Sequence, residues 1–433
     1  MALIVRAGGL PLLVAIFAGL VTIAAACLYW LLRRGGLHPT LAAILTVAGA
    51  LAGSTAWGAR PQVLNVTCFA LLACGLQLYR ERKVPAWWVA PYLWLWANLH
   101  SGFLSGVILV SLFLAGEGVQ AWRSQDVQAG RRLGGLALAG LGGLALAFAN
   151  PYGWDAVLFP LGTLFSPLIQ NNIQEWASPD FHSLAGHLLE GVLFVVLAGV
   201  GTGRVKARLT DWLWTLAFLF LAFSSQRHVP LFVLAAAPLI GRSAQALLSV
   251  GAEFLPRISA QPAQRVALIA SPLVPARSRA LALVNAAILV VVAGAMVGYR
   301  ALPNLLPSHE AASIAAVYPV AGADALLRQG RGLRVLNYYD YGGYLIYRLW
   351  PSGSKVFIDG RVEVYGPAVF SDYLVVSYAS PGWRGVVQRY APDAIVLPTW
   401  HPLVGVLSKD PDWRTLSADR VATVFVVNVA GSR

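Results

Sequence analysis

Charged residues, and acidic ones above all, are scarce in this chain of 433 residues. Only 12% of the residues are charged, with 19 acidic against 32 basic, and only three residues are cysteines. Cys27, Cys68 and Cys74 all lie in apolar segments, so no disulfide framework is expected in the rest of the chain. No basic stripe coincides with a pattern typical of a nucleic-acid-binding module, so we expect no nucleic acid partner.

Long hydrophobic runs dominate what is present, since apolar residue types make up 58% of the chain. A straight helix of about 20 residues crosses the ~30 Å hydrocarbon core of a membrane, and shorter runs need burial inside a bundle. We therefore predict a mostly α, polytopic transmembrane helix bundle over residues 1–299. Its ten candidate spans are residues 10–32, 38–58, 62–79, 85–100, 102–119, 133–149, 185–203, 210–225, 229–246 and 281–299.

The basic residues between these runs fall almost entirely in alternate loops. In membrane proteins, short loops rich in Lys and Arg stay in the cytoplasm. In this chain the loops on the other side of the membrane hold only Arg60 and Arg227. We predict an inner-membrane protein whose chain beyond about residue 300 is extracytoplasmic. The net charge of +13 then reflects orientation and attraction to the anionic lipid bilayer. The basic loop residues are Arg33, Arg34, Arg80, Arg82, Lys83, Arg123, Arg131, Arg132, Arg204, Lys206, Arg208, Arg257, Arg265, Arg277 and Arg279.

Residues 300–433 break from the membrane pattern and alternate β-rich runs with helical ones. Such alternation predicts a small α/β domain, and about 130 residues can bury a core of their own. A second soluble stretch, residues 150–184, is expected to be an outside loop on the membrane surface. The predicted strands are Val335–Asn337, Lys355–Ile358, Ala394–Leu397 and Thr423–Val429, with helices near 310–329, 342–349, 366–379, 383–391 and 402–408.

Polar motifs rich in aromatic residues lie on the predicted outer face. In one tight turn, Asn98 and His100 stand at the bilayer boundary beside Trp94 and Trp96. This turn is either part of a binding site or an aromatic belt with ordinary turn residues.

The outside loop combines Glu175 and Asp180 with a histidine and two aromatic rings within nine residues. Aromatic rings stack on sugar faces and carboxylates remove protons, so the loop suits sugar handling, with solvated loop charge as the alternative.

His187 and Glu190 follow at helical spacing near membrane depth, where ionisable groups usually face a cavity or a partner. With His182 they allow a divalent metal, but no strong metal signature is matched, so no metal ligand is assigned.

Two arginines depart from the one-sided distribution. Arg60 and Arg227, the latter beside His228, lie on the predicted outer face. A guanidinium there can clamp a phosphate bidentately, as recognition of a lipid-linked phosphate requires. The alternative is that both side chains are ordinary interfacial snorkels.

The richest run of the tail places Tyr339, Asp340 and Tyr341 before a glycine pair, and Asp359 and Arg361 follow a later strand. Open α/β sheets commonly bind ligands at such strand ends, so we predict a binding site here. A tight turn with Asp340 as a helix cap is the alternative.

Body and tail together resemble the polytopic GT-C type glycosyltransferases, which take sugars from polyprenyl-phosphate carriers. The run Tyr338–Gly342 is also similar to the Trp-Trp-Asp-Tyr-Gly run of oligosaccharyltransferase catalytic subunits, with tyrosines in place of both tryptophans. The segments similar to bacterial GT-C proteins are Trp96–Phe103, Asn150–Gly153, Glu175–Phe181, Asn337–Tyr344 and Val356–Arg361.

The resemblance implies a membrane glycosyltransferase with a polyprenyl-phosphate-linked sugar as its partner at the outer face, and no motif identifies a protein partner. It assigns Asp180 or Glu175 as the base, Arg60, Arg227 and His228 to the phosphate, Asn98 and His100 to the donor pocket, and Tyr339, Asp340, Tyr341, Asp359 and Arg361 to the acceptor.

This sequence departs from the GT-C pattern in one respect. Members carry a catalytic acidic residue in a first large outside loop, which no segment here matches. We expect either that this first span and loop are missing from the chain, or that Glu175 or Asp180 has taken the role. A non-catalytic protein that binds lipid-linked glycan or joins a glycan-assembly complex is the main alternative. A transporter is a third, although no internal repeat supports it.

Overall fold

The computed structural model describes residues 2–155, 157–158, 162, 166–254 and 307–428. Contacts between Cα atoms divide the chain into two compact units, Met1–Arg279 and Ala280–Arg433. The tenth predicted span, residues 281–299, and the predicted domain boundary after residue 299 lie outside the described residues.

The first unit is built of helices, and its described helices coincide with the first nine predicted spans. A further short helix, α7, lies in the predicted outside loop. The bounds are α1 (Ala2–Arg34), α2 (Pro39–Ala52), α3 (Pro61–Arg80), α4 (Val89–Leu99), α5 (Phe103–Arg123), α6 (Val127–Leu146), α7 (Pro167–Asn172), α8 (Leu184–Gly201), α9 (Leu209–Ser224) and α10 (Val229–Phe254).

Several of these helices are long and apolar enough to cross a membrane. Within the described residues there are five: Leu3–Arg34, Pro61–Arg80, Phe103–Arg123, Leu184–Gly201 and Gln226–Phe254. Helices α2 and α9 are apolar but shorter, so they depend on neighbours for burial. The chain is therefore a membrane protein with a polytopic helix bundle, as the sequence predicts.

Helix α10 lies at the centre of the bundle, since almost every residue from Val229 to Ala244 is buried. It packs against α1, α8 and α9. Small residues allow this close approach: a methyl group added at Gly199 of α8 would lie 2.6 Å from the Cα of Ser243. Helices α8 and α10 are therefore packed backbone to backbone at this point.

The second unit is an α/β domain, which confirms the predicted class of the tail. Its sheet has the order β2-β1-β3-β5-β4; β1 is parallel to β2 and β3, and β5 is antiparallel to β3 and β4. The elements are α11 (Pro307–Ala315), α12 (Val320–Gln329), β1 (Arg334–Asn337), α13 (Gly342–Leu349), β2 (Lys355–Val356), α14 (Val362–Ser377), α15 (Trp383–Tyr390), β3 (Ala394–Pro398), α16 (Pro402–Leu407), β4 (Trp413–Ala418) and β5 (Ala422–Val427).

Neighbouring residues of one strand point to opposite faces of this sheet and fill two apolar layers. Val335 packs with Leu326 of α12 on one face. Leu336 packs with Phe425 and Val387 on the other. Because α12 contributes to this core, we assign the bent pair α11–α12, with its 86° break, to the α/β domain and not to a membrane span.

Two predicted details of the tail are wrong. The single helix predicted near 310–329 is broken before Val320, where Pro319 precedes α12. Strand β4 was not predicted from the sequence, because Trp413–Ala418 is a largely exposed, polar edge strand without an apolar run.

Candidate functional site

A 3₁₀ turn of the outside loop, Gln174–Trp176, is bound to the turn that joins α9 and α10. The Ser225 hydroxyl donates to the Glu175 carbonyl oxygen over 3.0 Å, and the Gln226 backbone N–H donates to the Ala177 carbonyl oxygen over 2.9 Å. These bonds connect two loops that are 50 residues apart in the chain. This turn of the outside loop therefore lies beside Arg227, the residue that follows Gln226.

Arg60 forms an ion pair with Glu175 across these loops. Arg60 precedes Pro61, the first residue of α3, so its backbone is fixed by the start of that helix. The side chains remain 60% and 38% exposed respectively. An exposed pair of this kind contributes only ~0–1 kcal/mol to stability, so a ligand anion can displace the carboxylate at small cost.

Arg227 lies over the ring of Trp176, with its guanidinium carbon 4.4 Å from the ring centroid. His228 meets the same indole edge-on, with ring centroids 6.3 Å apart. Gln62 donates to the Arg227 carbonyl oxygen over 3.2 Å and holds this turn against α3. The structure thus brings together four predicted site residues and one tryptophan. This Arg60–Arg227 cluster consists of Arg60, Glu175, Trp176, Arg227 and His228.

The turn between α4 and α5 lies near this cluster. The His100 ring accepts a hydrogen bond from the Gly102 backbone N–H over 2.8 Å and is within electrostatic reach of the Arg227 charge. Asn98 instead donates to the Trp94 carbonyl oxygen of its own helix over 2.9 Å. The role of Asn98 in a donor pocket stays a prediction.

Asp180 is occupied within its own turn. Its carboxylate accepts the His182 backbone N–H over 2.9 Å, and its carbonyl oxygen accepts the Ser183 hydroxyl over 2.7 Å. This turn precedes α8, whose N-cap is Ser183. Of the two predicted bases, only Glu175 has an ion pair with the cluster.

Two polar residues buried near this end of the bundle were not predicted as site residues from the sequence. Gln62 and Asn65 are 7% and 8% exposed on the first turns of α3. Asn65 Oδ1 and His228 Nδ1 are buried without a hydrogen-bond partner among the described residues. Such orphaned atoms are uncommon and indicate a place where a ligand or water completes the bonding. The sequence does carry a signal for these buried residues, because both are polar and stand at the beginning of an apolar run.

An apolar crevice opens between α1, α2, α3 and α10. Its lining includes Leu28, Trp57, Val66, Pro230 and Val233. Pro230 lies two residues after His228, so the crevice and the cluster share one end of the bundle. The crevice has a volume of about 20 Å³, so it can hold no more than a small apolar group beside the cluster.

The residues predicted near a metal do not form a site in the described part of the chain. His187 Nδ1 and Glu190 Oε2 are 3.1 Å apart, but these side chains are 60% and 40% exposed. No group of three His, Cys, Asp or Glu side chains converges among the described residues.

In the tail, the predicted Asp359 and Arg361 form a closed structural pair. Asp359 is 3% exposed and accepts the Arg361 guanidinium, the Arg361 backbone N–H and the Tyr365 hydroxyl. Burial alone would raise the pKa of Asp359, but these hydrogen bonds outweigh it and lower the pKa. Asp359 therefore holds the loop after β2 and has little capacity left for a ligand.

The tyrosines of the tail motif also have internal partners. Tyr341 is buried and donates to the Val421 carbonyl oxygen over 2.9 Å, and burial raises its pKa to about 12. The Tyr339 backbone N–H donates to the Tyr373 hydroxyl over 3.1 Å. Asp340 is exposed on this turn. Of the five predicted acceptor residues, Asp340 and Arg361 are thus the two that are exposed.

Comparison with known proteins gives similar solved structures but no sequence relative. No protein-family model matches the chain, and no curated protein is significantly similar to it in sequence. Among solved structures, the chain is similar to ArnT from Cupriavidus metallidurans, a GT-C glycosyltransferase determined bound to undecaprenyl phosphate. The two are 15% identical, the TM-score is 0.43, and the match covers 97% of this chain and 84% of ArnT. This likeness lies in the course of the chain alone, so a function has to be argued from this chain's own residues.

Proposed function

We propose that this protein is an integral membrane glycosyltransferase that takes a sugar from a polyprenyl-phosphate donor at the end of the bundle carrying the Arg60–Arg227 cluster. The observation that supports this most is the combination of the exposed Arg60, the half-buried Arg227, one carboxylate and a small adjoining apolar crevice. The arginines match a phosphate, a prenyl chain can lie along the apolar helix surfaces beside them, and the carboxylate can accept a proton. The cluster face is extracytoplasmic in this proposal, because the opposite end carries the arginine-rich loops.

The chemistry follows from exchanging partners on Arg60. A donor phosphate displaces Glu175 from Arg60, and Arg227 binds the same phosphate from its place above Trp176. An acceptor hydroxyl then attacks the anomeric carbon, the bond from that carbon to the phosphate oxygen breaks, and Glu175 takes the hydroxyl proton. The two arginines stabilise the charge that develops on the leaving polyprenyl phosphate.

A non-catalytic protein that binds lipid-linked glycan is the second candidate. It is favoured by one observation: both candidate bases are engaged, Glu175 by Arg60 and Asp180 by its own turn. The two candidates share the phosphate site and differ in whether Glu175 is released to act.

The test measures turnover and binding on the purified full chain in proteoliposomes. Polyprenyl-phosphate sugars are offered as donors, and release of free polyprenyl phosphate is measured. Glu175→Gln is expected to lower turnover at least ~100-fold, a typical share for a lost general base. The same variant is expected to bind polyprenyl phosphate more tightly, because the competing carboxylate is gone.

Glu190→Gln is the matched control, since Glu190 is similarly exposed and lies in the next helix. It is expected to keep full turnover. Turnover that survives in Glu175→Gln but is lost in Asp180→Asn would move the base to Asp180. Tight binding without turnover for any donor would leave the non-catalytic candidate in place.

A further inference from the structure

The topology of the second unit places a switch point, where open α/β sheets form a crevice, at the carboxyl ends of β1 and β3. Strand β1 lies between β2 and β3 and is parallel to both. The chain runs from β1 to β2 on one side and then crosses to β3 on the other side of β1. Loops diverge at such a switch point, and ligands of open α/β sheets bind there.

Three aromatic side chains surround this crevice. Tyr338 follows β1 directly, and Trp400 follows β3 and is 70% exposed. Their ring centroids are 5.8 Å apart with the planes 83° apart, so the two rings form a corner. Tyr378, 65% exposed at the end of α14, lies close enough to Tyr338 to influence its ionisation.

The backbone beneath these rings is rigidly held. His401 is 2% exposed, and its ring bonds the Ser377 carbonyl oxygen over 2.9 Å, which places Trp400 beside Tyr378. Thr399 donates from its hydroxyl to the Asp419 carbonyl oxygen over 2.8 Å. The exposed rings are therefore displayed on a fixed frame, which lowers the entropy lost on binding.

The polar groups around the rings define the ligand chemistry. Exposed Asp340 lies near enough to act electrostatically on Tyr338. Large, exposed aromatic faces beside a carboxylate suit a ligand that has an apolar C–H face and hydroxyl groups at its edge. We propose that Tyr338, Tyr378, Trp400 and Asp340 form a carbohydrate-binding surface whose ligand is a pyranose unit of a glycan.

A proline-rich peptide is the rival ligand, because such peptides also bind aromatic-lined grooves. The contact between Tyr338 and Trp400 favours a sugar, since the exposed Trp400 ring offers a face to the C–H groups and the two rings are not parallel, as the ridges for an extended peptide would be. The inference is independent of the proposed transfer reaction, because it needs neither a donor nor the Arg60–Arg227 cluster.

The test uses the full chain in lipid nanodiscs on an array of bacterial oligosaccharides that also carries proline-rich peptides. The strongest ligand is then titrated by calorimetry. Trp400→Ala is expected to weaken sugar binding about tenfold or more, because central aromatic anchors carry most of the binding energy. Tyr378→Ala and Asp340→Ala are expected to weaken it to a smaller extent.

Trp350→Ala is the matched control. Trp350 is 78% exposed, and it lies near the amino ends of β1 and β2, in the turn whose Ser352 carbonyl oxygen accepts the Gly332 N–H before β1. Sugar binding by this variant is expected to equal that of the unchanged chain. Absence of any glycan ligand, equal binding by the two tryptophan variants, or binding of the peptides instead of the sugars would each overturn the proposal.

Discussion

The two ends of the helix bundle use the same ion-pair chemistry at very different burial. At the arginine-rich end, Arg80 and Asp211 have side chains only 8% and 0% exposed. Arg80 contacts Glu117 over 3.0 Å, Arg208 contacts the same carboxylate over 3.3 Å, and Arg242 pairs with Asp211. These contacts join α3, α5, α9 and α10.

At the other end, the Arg60 and Glu175 side chains are 60% and 38% exposed and connect a helix to a loop. A buried network is costly to break, because a partner left behind remains an uncompensated charge, whereas an exposed pair is worth ~0–1 kcal/mol. Arg60, which departs from the one-sided arginine pattern, therefore lies in a pair that a ligand can open at small cost, while Arg80 and Arg242 hold the bundle together through buried pairs.

The largest effect is expected from Asp211→Ala. This substitution leaves Arg242 without its carboxylate inside the bundle, so we expect a loss of about 3–5 kcal/mol in the free energy of unfolding. The measurement is unfolding of the purified chain in detergent. Glu253→Gln removes the exposed pair with Arg204 at the same end and is the control, with an expected loss below ~1 kcal/mol. Equal losses in the two variants would show that burial does not determine how much these ion pairs contribute to the free energy of unfolding.

An intermediate effect is expected from Gly186→Ala, at the end that carries the cluster. A methyl group at Gly186 would lie 2.2 Å from the Asp180 carbonyl oxygen and 2.7 Å from the Phe181 Cα, both backbone atoms. We expect a loss of about 1–3 kcal/mol, typical of overpacking. Gly191→Ala in the same helix meets no atom within 4 Å and should be neutral. If Gly186→Ala left the free energy of unfolding unchanged, the turn around Asp180 would not be closely packed against α8.

The smallest effect is expected from acid, at the closed Asp359–Arg361 pair of the second unit. Because the folded-state pKa of Asp359 is below the ordinary 3.8, the pair stabilises the folded chain above that pH. The unfolded chain binds more protons as the pH falls below it, so the stabilisation is lost there. The difference in unfolding temperature between the unchanged chain and Asp359→Asn should therefore shrink from about pH 6 to about pH 3. A difference that stays constant would show that Asp359 acts by shape alone.

Much of the fold and part of the site could be predicted from the sequence. Apolar runs located the described membrane helices because burial in a bilayer imposes a long, continuous signal. The scarcity of basic residues on one side identified Arg60 and Arg227, which the structure joins through one loop. The sequence pattern could not show that Glu175, and not Asp180, pairs with Arg60, because the conformation of the outside loop determines which carboxylate reaches that arginine.

Other features depend on contacts that no local pattern reveals. Gln62 and Asn65 look like ordinary polar residues at a span's beginning until the neighbouring turns cover them. Trp400 became a candidate only once β3 was placed beside β1. Asp359 and Arg361 were predicted as ligand contacts, but their spacing of two residues also permits the internal pair that forms.

The central claim is that Arg60 and Arg227 bind the phosphate of a polyprenyl carrier. Its most direct test is the affinity of the full chain for undecaprenyl phosphate and for undecaprenol, measured side by side by native mass spectrometry. We expect the phosphate to bind at least ~10-fold more tightly, because charge-assisted bonds to Arg60 and Arg227 are available only to it. In Arg227→Gln this preference should largely disappear while undecaprenol binding is unchanged. Equal affinity for the phosphate and the alcohol in the unchanged chain would contradict the account.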